Sequence, residues 1–200
     1  GEFSMGSNVI KAISNIINFG NYDLSGYATT YKIRINAVGE RLEFYLTDAF
    51  AGAFEISGDT AKEEYYYKNK IFSYQANQNN PPDIILNGGD AIEIKKIESP
   101  KNDIALNSSP PKDMLHRSDR YLTEKCKAIE GGKWEQKDLF YVIGNVKSQK
   151  INYLFFIHGV CYAAAPEIYD RIFAPLKKNI SGSIEAAGLE NSETLELGRI

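Results

Sequence analysis

Cysteine is scarce in this chain of 200 residues, which contains only Cys126 and Cys161. The two cysteines form no C-x-x-C motif and have no neighbouring histidine pair, so neither a zinc site nor a redox motif is expected. We predict two free, buried thiols, as is typical of proteins from a reducing cytosol. The sequence also lacks an apolar run of the roughly 18–20 residues that a membrane span requires. It opens without a secretory leader, so secretion is not expected.

Positive charge is not in excess either. Lys and Arg number 23 against 26 Asp and Glu, which gives a formal net charge of −3. This balance argues against a protein that coats nucleic acid non-specifically, because such proteins carry a strongly basic surface. It remains compatible with a DNA enzyme in which an acidic metal site offsets local basic patches. With 43% hydrophobic and 24% charged residues, the composition is that of a globular protein of one domain.

The hydrophobic pattern predicts both helices and strands. Helices are predicted over residues 8–19, from after Asn36 to about Ala53, from Ser118 or Asp119 to Ile129, and from Pro166 onward. Strands are predicted at residues 71–74, 83–86, 91–97, 139–146 and 151–160. Residues 57–69 are predicted to be a loop and an exposed segment. Residues 99–118 are predicted to be a long loop, of a length that usually has a function.

The predicted hairpin over residues 83–97 carries the most informative pattern. Its turn, Asn-Gly-Gly-Asp, contains residues that tolerate positive φ. On the second strand Glu93 and Lys95 are two residues apart, so they point to the same face of the sheet. Charge on an apolar strand needs an explanation, because burying an unpaired charge is costly. Since the turn folds the first strand back alongside the second, Asp83 is expected to lie close to Glu93.

These residue types suit a metal-dependent hydrolase. Two neighbouring carboxylates repel each other unless a cation lies between them, and carboxylate and carbonyl oxygens are ligands that Mg²⁺ prefers. Asp83, Glu93 and the backbone carbonyl of Ile94 are therefore candidate Mg²⁺ ligands. Lys95 is the candidate group that orients a water, helps it lose a proton and counters charge on a phosphate. The alternative is that the three charged side chains are solvated strand residues or a structural ion pair.

The same residues resemble the motif of the PD-(D/E)XK nuclease superfamily, which corresponds here to Pro82-Asp83 followed by Glu93-Ile94-Lys95. Further blocks are similar, in order, to the NgoPII-like type II restriction endonucleases. These blocks are the helical segment at residues 36–51, the central segments at 81–86, 90–96 and 105–112, and the later strands at 138–144 and 156–159. The resemblance covers most of residues 8–200.

The resemblance implies an α/β fold in which a central mixed β-sheet is flanked by helices in a restriction-endonuclease-like core. It implies a Mg²⁺-dependent type II restriction endonuclease that cuts double-stranded DNA at a short palindrome, with GGCC, the site of the family's namesake, as the candidate. A homodimer is expected, because two-fold protein symmetry matches a palindromic site. The implied location is the bacterial cytoplasm. Glu43 matches a helix glutamate that often completes the metal site; an ordinary helix-surface carboxylate is the alternative.

Base recognition is expected to involve the predicted loop before residue 118. Arg and Lys are the usual partners of guanine in the major groove, and hydroxyl and amide groups suit phosphates and base edges. A connector pinned by prolines is the alternative interpretation of this loop. The candidate DNA-binding residues are Asn107, Ser108, Ser109, Lys112 and Arg117, with His116 in the same region.

Residues 1–4, which precede Met5, are expected to be a cloning remnant, and residues 5–200 a single nuclease domain. Chains of the resembled family continue past the segment that matches residues 197–200, so the resemblance implies that this chain is a fragment, truncated at its C-terminus. Two other functions remain open. One is a PD-(D/E)XK nuclease of DNA repair or recombination, which would nick junctions or ends. The other is a catalytically silent DNA-binding module, whose DNA binding would survive the loss of Lys95.

Overall fold

A mixed β-sheet of six strands lies at the centre of the structure, and helices flank it, which confirms the predicted α/β class. The computed structural model describes residues 6–27, 38–76, 81–99, 111–119, 121–186 and 188. Within these residues the strands are β1 (Phe72–Gln75), β2 (Ile84–Leu86), β3 (Ala91–Ile97), β4 (Met114–His116), β5 (Gln136–Lys147) and β6 (Lys150–His158). The helices are α1 (Val9–Phe19), α2 (Val38–Ala51), α3 (Asp59–Lys68), α4 (Glu124–Lys127), α5 (Gly159–Tyr162) and α6 (Pro166–Ala186).

Strand β3 is where the sheet changes from antiparallel to parallel pairing. β1, β2 and β3 pair with one another antiparallel in that order. β3 and β5 are parallel, with Glu93 opposite Tyr141 and Lys95 opposite Ile143. β5 also pairs antiparallel with β4 at its beginning and with β6 along most of its length. Parallel neighbours need a crossover connection. Here the segment that links β3 to β5 contains β4 and α4.

The first helix has the ends that the sequence predicts, and the second is a helix over its described residues, Val38–Ala51; the two residues before it lie outside the described residues. The Asn8 side chain accepts a hydrogen bond from the Lys11 N–H at 2.9 Å and caps α1. Gly20 ends α1 at φ +64°, a left-handed conformation that suits glycine. α2 approaches the sheet at Gly144, where a Cβ atom would lie 2.6 Å from Leu42 Cδ2. This close approach fixes α2 over β5, the parallel neighbour of β3.

Each face of the sheet is covered by its own apolar core. One core combines α1 and α2 with Ile84, Ile92, Ile94 and Val142. The other contains Ala91, Leu139 and Tyr141 together with Leu115, Cys126 and Trp134. Alternate residues of a strand point to opposite faces. Glu93 and Lys95 therefore lie on the face of Ala91 and Tyr141, while Ile92 and Ile94 are buried beneath α2.

The prediction of a loop at residues 57–69 was wrong, because this segment contains α3. The buried side chains of α3 are Lys62 and Tyr66 rather than an apolar stripe. Both contact the carboxylate of Asp48 on α2, which is completely buried. A helix that packs through polar side chains has no apolar period, and for this reason the hydrophobic pattern did not reveal it.

Other boundaries also differ from the predictions. Residues 100–110 of the predicted loop at 99–118 lie outside the described residues, and its remaining part contains β4. The helix predicted up to Ile129 is only the four-residue α4, capped by Thr123, followed by a 3₁₀ turn, Ile129–Gly132. β6 ends at His158 because this residue caps α5, which begins at Gly159. Cys126 is buried as expected, but Cys161 on α5 is exposed, which corrects the prediction of two buried thiols.

The last helix begins at Pro166, as predicted, and continues through Ala186. One side of α6 exposes apolar side chains, namely Ile168, Ile172, Phe173 and Leu176. Among the described residues, no helix combines the length and the apolar character needed to cross a membrane.

Candidate active site

The β2–β3 hairpin brings two carboxylates together. Ile84 is paired with Ile92 in the antiparallel register, and continuing this register by one pair places Asp83 opposite Glu93. Asp83 Oδ2 accepts a hydrogen bond from the Ile94 N–H at 2.5 Å, which fixes the carboxylate against β3. At the turn, the Gly88 N–H donates to Glu130 Oε1 at 2.8 Å. The hairpin that the sequence predicts thus holds Asp83 beside Glu93.

Lys95 joins the two carboxylates on the same face of the sheet. Its Nζ atom lies 2.7 Å from Glu93 Oε1, and the two side chains are 23% and 14% exposed, respectively. The structure therefore brings together the three side chains that the alternation of β3 and the predicted turn had placed near one another. The site lies at the border of the second core, where it is partly open to solvent.

A third carboxylate, Glu43, approaches from α2. Burial raises the pKa of Asp83 well above its usual value, and the negative charges of Glu93 and Glu43 raise it further. The Ile94 N–H and Lys95 oppose this shift without cancelling it. Three acids that act on one another in this way form a site where added positive charge is stabilising.

The ammonium group of Lys95 is held in its charged form. Burial alone lowers the pKa of Lys95, but the charge and hydrogen bond of Glu93, together with Asp83, outweigh burial and raise it. At neutral pH Lys95 can therefore donate hydrogen bonds and counter negative charge, which is the role that a phosphoryl group requires from a nearby cation.

The donor set fits a hard divalent cation. Glu93 Oε2 is buried and has no hydrogen-bond partner, an arrangement that is costly unless a cation or a water occupies the adjacent space. Within the described ranges, no cluster of three His, Cys, Asp or Glu side chains is arranged to hold a metal ion. Two carboxylates and a peptide carbonyl leave positions for water, as is usual for Mg²⁺.

Comparison with known proteins identifies the family. Residues 7–200 match the family model described as NgoPII restriction endonuclease. The chain belongs to the NgoPII restriction endonuclease family. It is 40% identical over 194 residues to the type II restriction enzyme NgoPII of Neisseria gonorrhoeae, an alignment that covers 96% of this chain and 66% of that relative. The chain thus spans less than two thirds of the relative's length. No solved structure matches it.

The predicted DNA-binding residues of this NgoPII-family chain are partly engaged in contacts within the protein. Lys112 Nζ lies 2.7 Å from Asp119 Oδ2 and 5.3 Å from the centre of the Tyr121 ring. Arg117 Nε donates to the Lys127 carbonyl at 3.1 Å. Asn107, Ser108 and Ser109 lie outside the described residues. Lys112 and Arg117 both flank β4, on the segment that leads toward the site.

Sequence reasoning missed Tyr141 and Tyr162, two aromatic neighbours of the NgoPII-family site. Tyr141 is opposite Glu93 in the parallel register, and its ring centre lies 4.5 Å from that of Tyr162. Tyr162 and Lys95 are close enough for each to shift the pKa of the other: Lys95 lowers that of Tyr162, and Tyr162 raises that of Lys95. The periodicity of β5 predicts a buried Tyr141, but only the β3–β5 pairing reveals its position beside the site.

Proposed function

We propose that this chain is the catalytic part of a type II restriction endonuclease that hydrolyses double-stranded DNA at a short palindromic site. The observation that carries the proposal is the convergence of Asp83, Glu93 and Lys95, in a chain that belongs to the NgoPII family. A relative that covers 96% of this chain is named a type II restriction enzyme. GGCC, the sequence that the family resemblance implies, is our candidate target.

Each residue has a distinct role in this proposal. Asp83, Glu93 and the carbonyl of Ile94 hold Mg²⁺, and Glu43 supports the site from α2. When bound, the ion supplies Lewis-acid polarisation of a phosphoryl oxygen and lowers the pKa of water. Lys95 donates hydrogen bonds to the attacking water and counters the negative charge that develops on the phosphate. No covalent intermediate with the protein is needed.

The DNA and a second copy of the chain are the proposed partners. Lys112 and Arg117, together with Asn107, Ser108 and Ser109, contact phosphates and base edges. For Lys112 this requires exchange of its ion pair with Asp119 for one with a phosphate, which a charge-assisted bond to an anion permits. A homodimer matches the two-fold symmetry of a palindrome, and the bacterial cytoplasm is the proposed location.

Cleavage of a plasmid of known sequence tests this function. Incubation with Mg²⁺ should give discrete fragments with identical end sequences, and EDTA should abolish them. Lys95→Ala should lower the cleavage rate by at least about a hundredfold, the usual effect of removing one positioned donor that stabilises developing negative charge. The matched control is Lys96→Ala, because Lys96 is the next residue of β3 and is paired with Glu98 instead.

Four results would contradict the proposal. The plasmid could stay intact in every divalent cation, or Lys95→Ala could cut as fast as the control variant. Nicking confined to junctions or free ends would instead identify a nuclease of repair or recombination. DNA binding without cleavage, unaffected by Lys95→Ala, would identify a silent binding module.

A further inference from the structure

The phenol group of Tyr141 is bonded to the backbone that precedes β4. Its oxygen accepts a hydrogen bond from the Lys112 N–H at 2.7 Å and donates one to the Lys112 carbonyl at 3.3 Å. Tyr141 is 4% exposed and belongs to the core that borders the site. A single buried hydroxyl thus satisfies both polar backbone groups of Lys112.

Gly159 holds the same stretch of backbone from the other side. A Cβ atom at Gly159 would lie 2.1 Å from the Asp113 carbonyl oxygen and 2.7 Å from that of Lys112. Any side chain here would collide with backbone atoms, which cannot move aside as a flexible side chain could. Gly159 opens α5, whose Tyr162 ring packs on Tyr141. Tyr141 and α5 therefore form one clamp around the backbone of Lys112 and Asp113.

Tyr141 also belongs to β5, which pairs with β3, the strand that carries Glu93 and Lys95. Tyr141 is opposite Glu93 in the β3–β5 register. Lys112 begins the segment of residues 112–117, which carries the proposed DNA contacts Lys112 and Arg117. The Tyr141 side chain thus joins the backbone at Lys112 to β5, at the residue opposite Glu93, through two hydrogen bonds.

We propose that Tyr141 is a specificity-determining positioning residue, whose hydroxyl fixes the backbone of Lys112, the first residue of the DNA-contacting segment 112–117, relative to Glu93. The inference rests on the proposed function and adds to it the residue that links target recognition to the catalytic strands. With the hydroxyl in place, only a target that fits the segment leaves Glu93 aligned. Without it, the β4–β5 pairing still holds residues 114–116, but the backbone at Lys112 is no longer bonded to β5 and adjusts to other targets.

The chemistry of the hydroxyl suits this role. Burial raises the pKa of Tyr141 above its usual value, and the negative charge of Glu93 adds to the rise. The phenol is therefore neutral across the physiological range, and a neutral hydroxyl is able to donate and accept at the same time.

The test compares Tyr141→Phe with a matched control, Tyr74→Phe. Tyr74 belongs to the same core and is also 4% exposed, but its hydroxyl lies 3.4 Å from Thr123 Oγ1 and does not contact residues 112–117. Both changes keep the ring and remove one buried oxygen. Because Tyr141→Phe loses two hydrogen bonds and Tyr74→Phe only one, the melting temperatures of both variants are measured to report the general loss of stability in each.

Two readouts separate positioning from stability. The amide of Lys112 should exchange with solvent about tenfold faster in Tyr141→Phe, because its acceptor is lost, and at the wild-type rate in Tyr74→Phe. All cut ends from a plasmid of known sequence are then sequenced. In Tyr141→Phe the share of ends at sequences that differ from the wild-type site by one base should rise about tenfold, which corresponds to about 1.4 kcal/mol of lost discrimination.

The inference is overturned if the Lys112 amide is as protected in Tyr141→Phe as in the wild type. It is also overturned if the distribution of cut ends is unchanged, or changes equally in both variants. If Tyr141→Phe does not fold, wild-type exchange decides: a Lys112 amide that is unprotected in the folded wild type refutes the clamp. A wild type that leaves the plasmid intact refutes the proposed function itself, whereas a normal wild-type digest with an unchanged Tyr141→Phe digest refutes only this inference.

Discussion

Asp83 shows how one residue can serve a site at the expense of the fold. Its carboxylate is buried beside two other acids, and burial together with these charges raises its pKa. In the absence of a cation the ionised form is therefore disfavoured in the folded protein. The repulsion that destabilises the site is also what favours the uptake of a divalent ion.

Replacing Asp83 with Asn should accordingly raise stability and abolish activity. Without divalent ions, Asp83→Asn should melt about 2–4 °C above the wild type, for a gain of about 1 kcal/mol from lost repulsion. Plasmid cleavage should fall by at least about a hundredfold. Addition of Mg²⁺ should raise the melting temperature of the wild type, because ligands stabilise the state that binds them, and should leave that of Asp83→Asn unchanged. An equal Mg²⁺ response of both proteins would exclude Asp83 as a ligand.

The two cysteines should differ in reactivity. Burial raises the pKa of the Cys126 thiol to about 11, with the nearby Lys127 and Lys137 opposing the shift, whereas Cys161 is exposed. Because the thiolate is the reactive form, iodoacetamide at about pH 8 should modify Cys161 in the native protein and both residues after unfolding. Mass spectrometry of the intact chain checks this, and Cys161→Ser should prevent native modification. Rapid native labelling of Cys126 would contradict the buried position.

At the scale of elements, α3 is attached to α2 through a buried polar cluster. The Asp48 carboxylate accepts hydrogen bonds from Lys62 and Tyr66 of α3, and from the Tyr27 hydroxyl at 3.1 Å. Burial raises the pKa of Asp48, while the bonds from Lys62, Tyr66 and Tyr27 act in the opposite direction. The carboxylate is completely buried, so each of these partners is needed to stabilise its charge.

Removal of one partner should therefore be costly. Lys62→Met leaves the Asp48 carboxylate buried without its cation and should lower the free energy of unfolding by about 3–5 kcal/mol. Lys68→Met, on the exposed end of the same helix, should change it by about 0.5 kcal/mol or less. Urea denaturation measures both values. Similar costs for the two variants would show that the cluster does not hold α3 in place.

The contrast between β3 and α3 explains how far sequence reasoning reaches. β3 was predicted with its correct ends, because apolar and charged residues alternate along it, and the same alternation placed Glu93 and Lys95 together. α3 was missed, because its packing uses Lys62 and Tyr66 against a carboxylate 14 and 18 positions away in sequence. β4 has only three residues, and it is recognised as a strand through its pairing with β5. Periodicity is local, while these elements depend on distant partners.

The same limit applies to the site. Asp83, Glu93 and Lys95 lie on one hairpin, so turn geometry and strand alternation sufficed to bring them together. Tyr141 becomes their neighbour through the parallel β3–β5 pairing, which no local pattern encodes. The sequence likewise could not predict that Lys112 is paired with Asp119.

At the scale of the whole molecule, the proposed palindromic target predicts a dimer. Sedimentation equilibrium of the purified chain should give about twice its mass of 22.4 kDa at micromolar concentration, because each half-site needs one copy. Chelation of divalent ions should not change this mass, since the proposed metal site is formed within one chain. A monomer mass that persists when a duplex carrying the target site is added would contradict the dimeric arrangement.

The turn at residues 87–90 has a consequence for how this enzyme family can change. Sheet geometry repeats every two residues, so deletion or insertion of one residue in that turn would rotate all of β3 by half a period. Ile92 and Ile94 would then occupy the face of the proposed active site, and Glu93 and Lys95 would enter the apolar interior beneath α2. The length of this turn is thus as strictly constrained as the chemistry of the acids, although the turn contributes no reacting atom. Its residue types are constrained as well, because Gly88 has a φ of +66°.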